Sequence, residues 1–331
     1  MKKMFFLVIL AILVMTVFSG CTRISIPTIG VAVYKYDDTF MSYTRNTIEK
    51  TAQGKAIISA VDSRNSQILQ NEQVDNFIAM KMNAIAINPV ERTEAGAIVD
   101  KAKAENIPVV FFNREPYQED MEKWDCVYYV GAKAEESGTM QGEILAEYWK
   151  AYPEMDRNND GILQYVMLKG EPGHQDTELR TEYSIRALRE AGIEVEELAS
   201  ADAYWDRPRA VQEMDKFIDL FGDRIEAVIC NNDDMALGVI ESLRKTGYFT
   251  DSKYIPVVGV DATIPALYAI SEGTLLGTVL NDGQNQGKAT FDIAYALGTG
   301  AAPTSSAGSM DGKYCWVPYQ KVTKDNYTQY Q

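Results

Sequence analysis

Short apolar runs rich in Val and Ile alternate along the chain with longer segments whose apolar residues recur at helical spacing. The runs TIGVAVY (28–34), AIISAV (56–61), NAIAIN (83–88) and IPVVFFN (107–113) predict four strands, separated by helices near 40–53, 66–81 and 93–105. A second set follows, with strands at CVYYVG (126–131), ILQYVMLKG (162–170), IEVEELAS (193–200), EAVICNN (226–232) and IPVVGVD (255–261). Helices near 135–151, 177–191, 208–220, 234–246 and 263–272 lie between them. The tail adds a strand at LLGTVLND (275–282), a helix near 285–297, a small-residue surface loop GTGAAPTSSAGS (298–309) and a last strand YCWVPY (314–319). Continuous apolar runs mark strands buried on both faces, and strands joined by helical crossovers form parallel sheets. The pattern therefore predicts an α/β chain built as two doubly wound parallel-sheet domains.

The first residues break this rhythm. A cationic start, an uncharged apolar run from Met4 to Phe18 and small residues ahead of Cys21 predict a secretory signal over residues 1–20. Its roughly 15 apolar residues fall short of the ~20 that span a bilayer. The stretch FSGC resembles a bacterial lipobox, which implies cleavage before Cys21 and a lipid on its sulfur, although Phe18 stands where the pattern usually has Leu. The alternative is an ordinary secretory signal. Losing Lys2 and Lys3 with the leader takes the formal net charge from -15 to -17. So acidic a surface repels polyphosphate and excludes nucleic acid as a partner. The remaining cysteines, Cys126, Cys230 and Cys315, are odd in number and widely spaced, which is no disulfide framework. Cys230, inside AVIC, reads as a small buried hydrophobe.

The polar residues that carry candidate chemistry follow the strands: Asp38 and Phe40, then Asn113, then His174, Asp176 and Arg180, then Asn232 and Asp261. Open α/β sheets bind ligands outside the carboxyl ends of their strands. Taken singly, an Asn or Asp there serves as well as a turn former or helix N-cap. As a set they match a sugar. Carboxylates accept from hydroxyls, Asn donates and accepts, Arg donates a fork, and rings such as Phe40 and Trp205 cover C–H faces. His174 is the only histidine and has no partners at zinc spacing. GxSxG, HExxH and GxGxxG are absent, and GQNQGKA (283–289) has one residue too few between its glycines for a phosphate loop. Paired acids for glycoside hydrolysis remain countable among Asp38, Asp176 and Asp261. The stretch DRNNDGILQYVM (156–167) begins like a calcium loop but ends on Met167, where an EF-hand has a bidentate Glu.

The segments GVAVYKYDDTFMS, VVFFNREP, MLKGEPGHQD, VICNNDDMALG, VVGVDA and GTVLNDGQNQGKATFD together resemble the galactose/glucose-binding family of bacterial periplasmic sugar-binding proteins, over essentially the whole chain after the leader. The resemblance implies a type I periplasmic binding protein fold and no catalysis. It implies that Asp38 grips the sugar 4-hydroxyl of either epimer and that Phe40 and Trp205 stack on the ring. Asn113, His174, Asp176, Arg180, Asn232, Asp261 and Asn281 match the other polar contacts. Two neighbours depart from the pattern: Arg114 stands for the usual Lys, and Gln175 for a Pro. The resemblance also supplies the missing calcium ligand. Asp156, Asn158, Asp160 and Gln164 would give side-chain oxygens, Ile162 its carbonyl, and Glu226 a bidentate carboxylate from a distant strand, around a structural Ca2+ in loop 156–164.

The expected layout is an N-terminal lobe of residues 21–132 plus about 283–314 and a C-terminal lobe of 133–282 plus about 315–331, joined by three hinge crossings. The expected function is a lipid-anchored, monomeric extracytoplasmic protein that binds D-galactose or D-glucose and delivers it to an ABC importer, with a chemoreceptor as a further reader. The alternatives are a membrane-anchored sensor without transport and a binder of another monosaccharide. A transcription repressor of the same fold would need a DNA-binding segment and a basic face.

Overall fold

The computed structural model describes residues 26–250 and 253–331. The expected leader and Cys21, the expected lipidation site, lie outside these residues. Strands β1 (Thr28–Val33), β2 (Ile57–Asp62), β3 (Ala84–Ile87), β4 (Val109–Phe112) and β5 (Val127–Gly131) alternate with helices α1 (Thr39–Ala52), α2 (Gln67–Ala79), α3 (Ala95–Ala104) and α4 (Gln118–Glu122). There follow α5 (Ala134–Ala151), β6 (Ile162–Lys169), α6 (Gln175–Glu190), β7 (Glu194–Asp202), α7 (Arg207–Phe221), β8 (Ala227–Cys230), α8 (Asp233–Lys245), β9 (Val257–Val258), α9 (Ile264–Glu272) and β10 (Gly277–Leu280). The chain ends with α10 (Gly283–Gly298), β11 (Ser309–Asp311), β12 (Tyr314–Trp316) and β13 (Gln320–Thr323).

These strands form two sheets, ordered β11-β12-β5-β4-β3-β1-β2 and β13-β10-β9-β8-β6-β7. The central pairings are parallel, as expected for strands whose residues are buried on both faces, such as the fully buried Ala84–Ile87 and Ala227–Cys230. Each sheet carries an apolar cluster on either side, anchored in one lobe by Ile29, Val31 and Phe111 and in the other by Val166, Met167 and Ile229. Each such fully buried side chain contributes about 1.5–3 kcal/mol. Helices α5 and α6 cross closely because Gly142 faces the partner backbone, where a Cβ would stand 2.3 Å from the Ser184 carbonyl oxygen.

The tail departs from expectation. The run read as one strand, 314–319, is divided: β12 pairs parallel with β5 in the first sheet, the chain crosses at 317–319, and β13 pairs antiparallel with β10 in the second. The small-residue segment read as a surface loop ends in β11, antiparallel to β12. Both sheets are thus parallel with one antiparallel edge strand. The other two crossings leave β5 for α5 and β10 for α10. Among the described residues no helix is long and apolar enough to cross a membrane. Cys126, Cys230 and Cys315 are free thiols, the last two buried.

Candidate functional site

All ten residues expected to contact a sugar line one small cavity between the sheets, together with Tyr34, Met41 and Arg114. Asp38, Phe40 and Asn113 come from the first lobe, His174 to Asp261 from the second, and Asn281 from the β10–α10 crossing.

Three of these residues are helix N-caps. Asp38 Oδ1 accepts the Met41 N–H at 2.8 Å, His174 Nδ1 accepts the Asp176 N–H at 3.0 Å, and Asn232 Oδ1 accepts the Met235 N–H at 2.9 Å. In Asn232 and His174 the cap fixes one atom and leaves another for the cavity. For Asn232 that atom is the Nδ2 donor. Burial pushes the His174 imidazole well below its usual pKa, helped by the Arg114, Arg180 and Arg92 charges. It is therefore neutral, and with Nδ1 accepting, its proton sits on Nε2 as a donor. The second oxygen of Asp38 accepts the Tyr34 hydroxyl.

Asp176 and Arg180 pair within one turn of α6 at 2.7 Å, both buried. Arg180 also donates to the Asn231 carbonyl at 2.9 Å and to the Tyr319 hydroxyl at 3.2 Å, while its Nε finds no protein partner. Burial holds the carboxyls of Asp176 and Asp261 above the usual range, although Arg180 pulls both the other way. Asn281 donates to Asp261 at 3.2 Å and accepts from Gln286 at 2.6 Å. Asn113 accepts from Asn88 at 3.1 Å.

Phe40 lies on the first turn of α1, and Trp205 in the β7–α7 turn, edge-on to His174 with centroids 5.2 Å apart. Trp205 reaches the cavity only because residue 170 is glycine: a Cβ there would stand 2.1 Å from the indole. Asn113, Trp205 and Asp261 hold positive φ of 61°, 63° and 125°. Such conformations cost of order 1–3 kcal/mol each and cluster at ligand clamps.

Sequence reasoning did not pick out Tyr34 and Met41. Tyr34 stands one residue past β1, the same strand-end signal that selected Asp38, and its hydroxyl orients that carboxylate. Arg114 appeared only as a departure from the family pattern. Its guanidinium lies 3.9 Å from the Tyr34 ring centroid and donates to the Val90 carbonyl at 2.5 Å.

The six expected calcium ligands lie in and beside a turn on the second lobe. Glu226, just before β8, accepts the Arg157 and Gln164 backbone N–H groups at 2.8 and 3.1 Å. Asp156 accepts from Asp160 and Gly161, and Asp160 from Ile162, Asn158 and Gln164. The donor types suit Ca2+: carboxylates, amide oxygens and a carbonyl at alternating loop positions, beside one buried glutamate. Among the described residues, however, no three Asp, Glu, His or Cys side chains converge closely enough to share an ion. The loop oxygens are turned onto the loop's own N–H groups.

Two α/β lobes joined by three crossings around a polar cavity define a solute-binding architecture, and residues 29–302 match the periplasmic binding protein domain. The chain belongs to that family, whose members bind solutes and are not enzymes. It is 43% identical over 302 residues to the D-galactose/methyl-galactoside binding periplasmic protein of Haemophilus influenzae, covering 90% of each chain. It is 27% identical to the ribose import binding protein of Bacillus subtilis, over 81% of this chain and 80% of that one. Among solved structures it is similar to an ABC transporter solute binding protein from Bacillus halodurans with bound myo-inositol, at TM-score 0.77 and 30% identity, covering 92% of this chain and 97% of that one.

Proposed function

We propose that this protein captures D-galactose or D-glucose between its lobes and delivers it to an ABC importer. The observation that carries this reading is the single cavity lined by Asp38, Asp176, Asp261, Asn113, Asn232, Asn281, His174, Arg180, Phe40 and Trp205. Three carboxylates oriented by the protein, with donors and two rings among them, suit a ligand with several hydroxyls and apolar C–H faces. Hydrogen bonds to charged groups contribute ~1.5–3 kcal/mol each, so a few of them support micromolar binding or better after the cost of association. The 43% identity to a protein named for D-galactose supports the hexose class.

The mechanism follows from the division of the site. A ligand that touches Asp38 and Asn113 on one lobe and Asp176 and Asp261 on the other binds the closed form better than the open one, and that difference drives closure. The importer's membrane subunits then read the closed shape, and a chemoreceptor would read the same surface. We place the protein outside the cytoplasm as a monomer, held to the membrane by a lipid on Cys21, with Ca2+ in loop 156–164 tying that loop to Glu226 as a structural brace.

A second reading, another monosaccharide or a cyclitol, draws on the solved relative that holds myo-inositol. Titration of the purified protein with D-galactose, D-glucose, D-ribose and myo-inositol, by tryptophan fluorescence and calorimetry, separates the two. Saturable micromolar or tighter binding of the hexoses supports the first reading, and binding of ribose or myo-inositol alone overturns it.

A further inference from the structure

Four side-chain contacts join the lobes directly, outside the crossings. The Arg114 guanidinium pairs with Glu171 at 2.7 Å, both largely buried. Asn65 donates to the other oxygen of Glu171 at 3.3 Å, Gln175 donates to Glu115 at 2.7 Å, and the Thr39 hydroxyl meets Asp234. Three of these contacts fall around a second, larger cavity in the same cleft, lined by Asn65, Arg114, Glu115, Glu171, His174 and Gln175. Arg114 and His174 face both cavities and form the partition between them.

Arg114 is built for more than charge. One nitrogen holds the Val90 carbonyl of its own lobe, another reaches Glu171 across the cleft, and the flat face lies on Tyr34, whose hydroxyl orients Asp38. A planar fork serves all three at once, which an ammonium cannot. The contacts run without a break from Glu171 in one lobe to the ligand carboxylate in the other.

We infer that Arg114, Glu171 and the Gln175–Glu115 contact form an interlobe latch that sets the open–closed balance of the unliganded protein and so scales affinity for whatever the cavity binds. Arg114 and Glu171 are thus positioning residues, acting through closure and through Tyr34. A contact made only in the closed form adds to closure whether or not ligand is present. A first contribution to a shared conformational change is worth a factor of about 5–150 in the affinity of the second.

The inference rests on reading the cavity as a ligand site between two moving lobes. Its test therefore starts without ligand. Small-angle X-ray scattering of the purified protein with no sugar added should give a larger radius of gyration for Glu171→Gln and Gln175→Pro than for the parent, with Arg114→Lys between. Melting temperatures should stay close to the parent, because these residues leave both apolar cores intact. Titration with D-galactose should then show affinity at least fivefold weaker in Glu171→Gln, with Arg114→Lys between it and the parent. An unliganded radius of gyration that does not change in Glu171→Gln and Gln175→Pro overturns the latch. Failure of both D-galactose and D-glucose to bind the parent overturns the hexose reading alone, since the scattering result stands without it.

Discussion

The interlobe cavity and the loop at 156–164 are both clusters of carboxylates and amides at turns, yet they spend their hydrogen bonds differently. In the cavity, cap residues keep hydrogen-bonding capacity: Asn232 holds Met235 with its oxygen and retains its amide N–H groups. In the loop, Asp156, Asp160 and Glu226 accept from backbone groups beside them, and Asn158 and Gln164 both donate to Asp160. A cluster with valences left over is prepared for a ligand that fits without rearrangement. One that satisfies itself must exchange internal hydrogen bonds for metal bonds, and a divalent ion offers enough to make that exchange favourable.

The largest effect should come from the loop. Saturating Ca2+, at about 1,000 times its dissociation constant, adds about 4 kcal/mol to the folded state, a melting shift on the order of 10 °C. Chelation should remove that gain, and Glu226→Ala should abolish it while D-galactose still binds; an unchanged melting temperature on adding Ca2+ would show that the loop is only a turn. Next, Asp38→Ala should weaken hexose binding about a hundredfold by calorimetry, since it removes a charged acceptor. A smaller loss, about tenfold, is expected for Gly170→Ala, whose methyl displaces Trp205; unchanged affinity would mean that the indole does not contact ligand.

The smallest effects are two pH slopes of opposite sign. Burial raises the Asp176 carboxyl, so the folded state holds that proton more tightly than the unfolded chain does, and stability falls as pH rises through the folded pKa. Asp160 is lowered, chiefly by the Ile162 N–H, so its contribution is present above the ordinary carboxylate range and is lost as pH falls through the folded pKa. Calcium-free denaturation curves should show Asp160→Asn flattening the acid limb and Asp176→Asn flattening the decline at higher pH. Slopes of the same sign would contradict the comparison.

Much of this was legible in the sequence. Buried parallel strands write continuous apolar runs, so β1, β3, β4, β6 and β8 were visible. The chain's change of sheet at 317–319 was not, because YCWVPY is apolar on both sides of the crossing and nothing local marks where one sheet is left for the other. Strand ends pointed to Asp38, Asn113, Asn232 and Asp261. There the structural and functional readings proved compatible: Asp38 and Asn232 cap helices and also line the cavity. What sequence spacing could not show is contact across the cleft. Arg114 and Glu171 lie 57 positions apart on different lobes, and only the placement of one lobe against the other brings them together.

The double duty of the cap residues constrains how such a protein can diverge. Replacing Asp38, His174 or Asn232 to suit a new solute also loosens the first turn of a helix, so a lineage changing its diet meets a folding penalty at those positions. Asn113, Asp261 and Asn281 start no helix, and Arg114 stands outside the core of either lobe. A change of solute meets no capping penalty at these residues, although Asn113 and Asp261 carry the constraint of a positive φ.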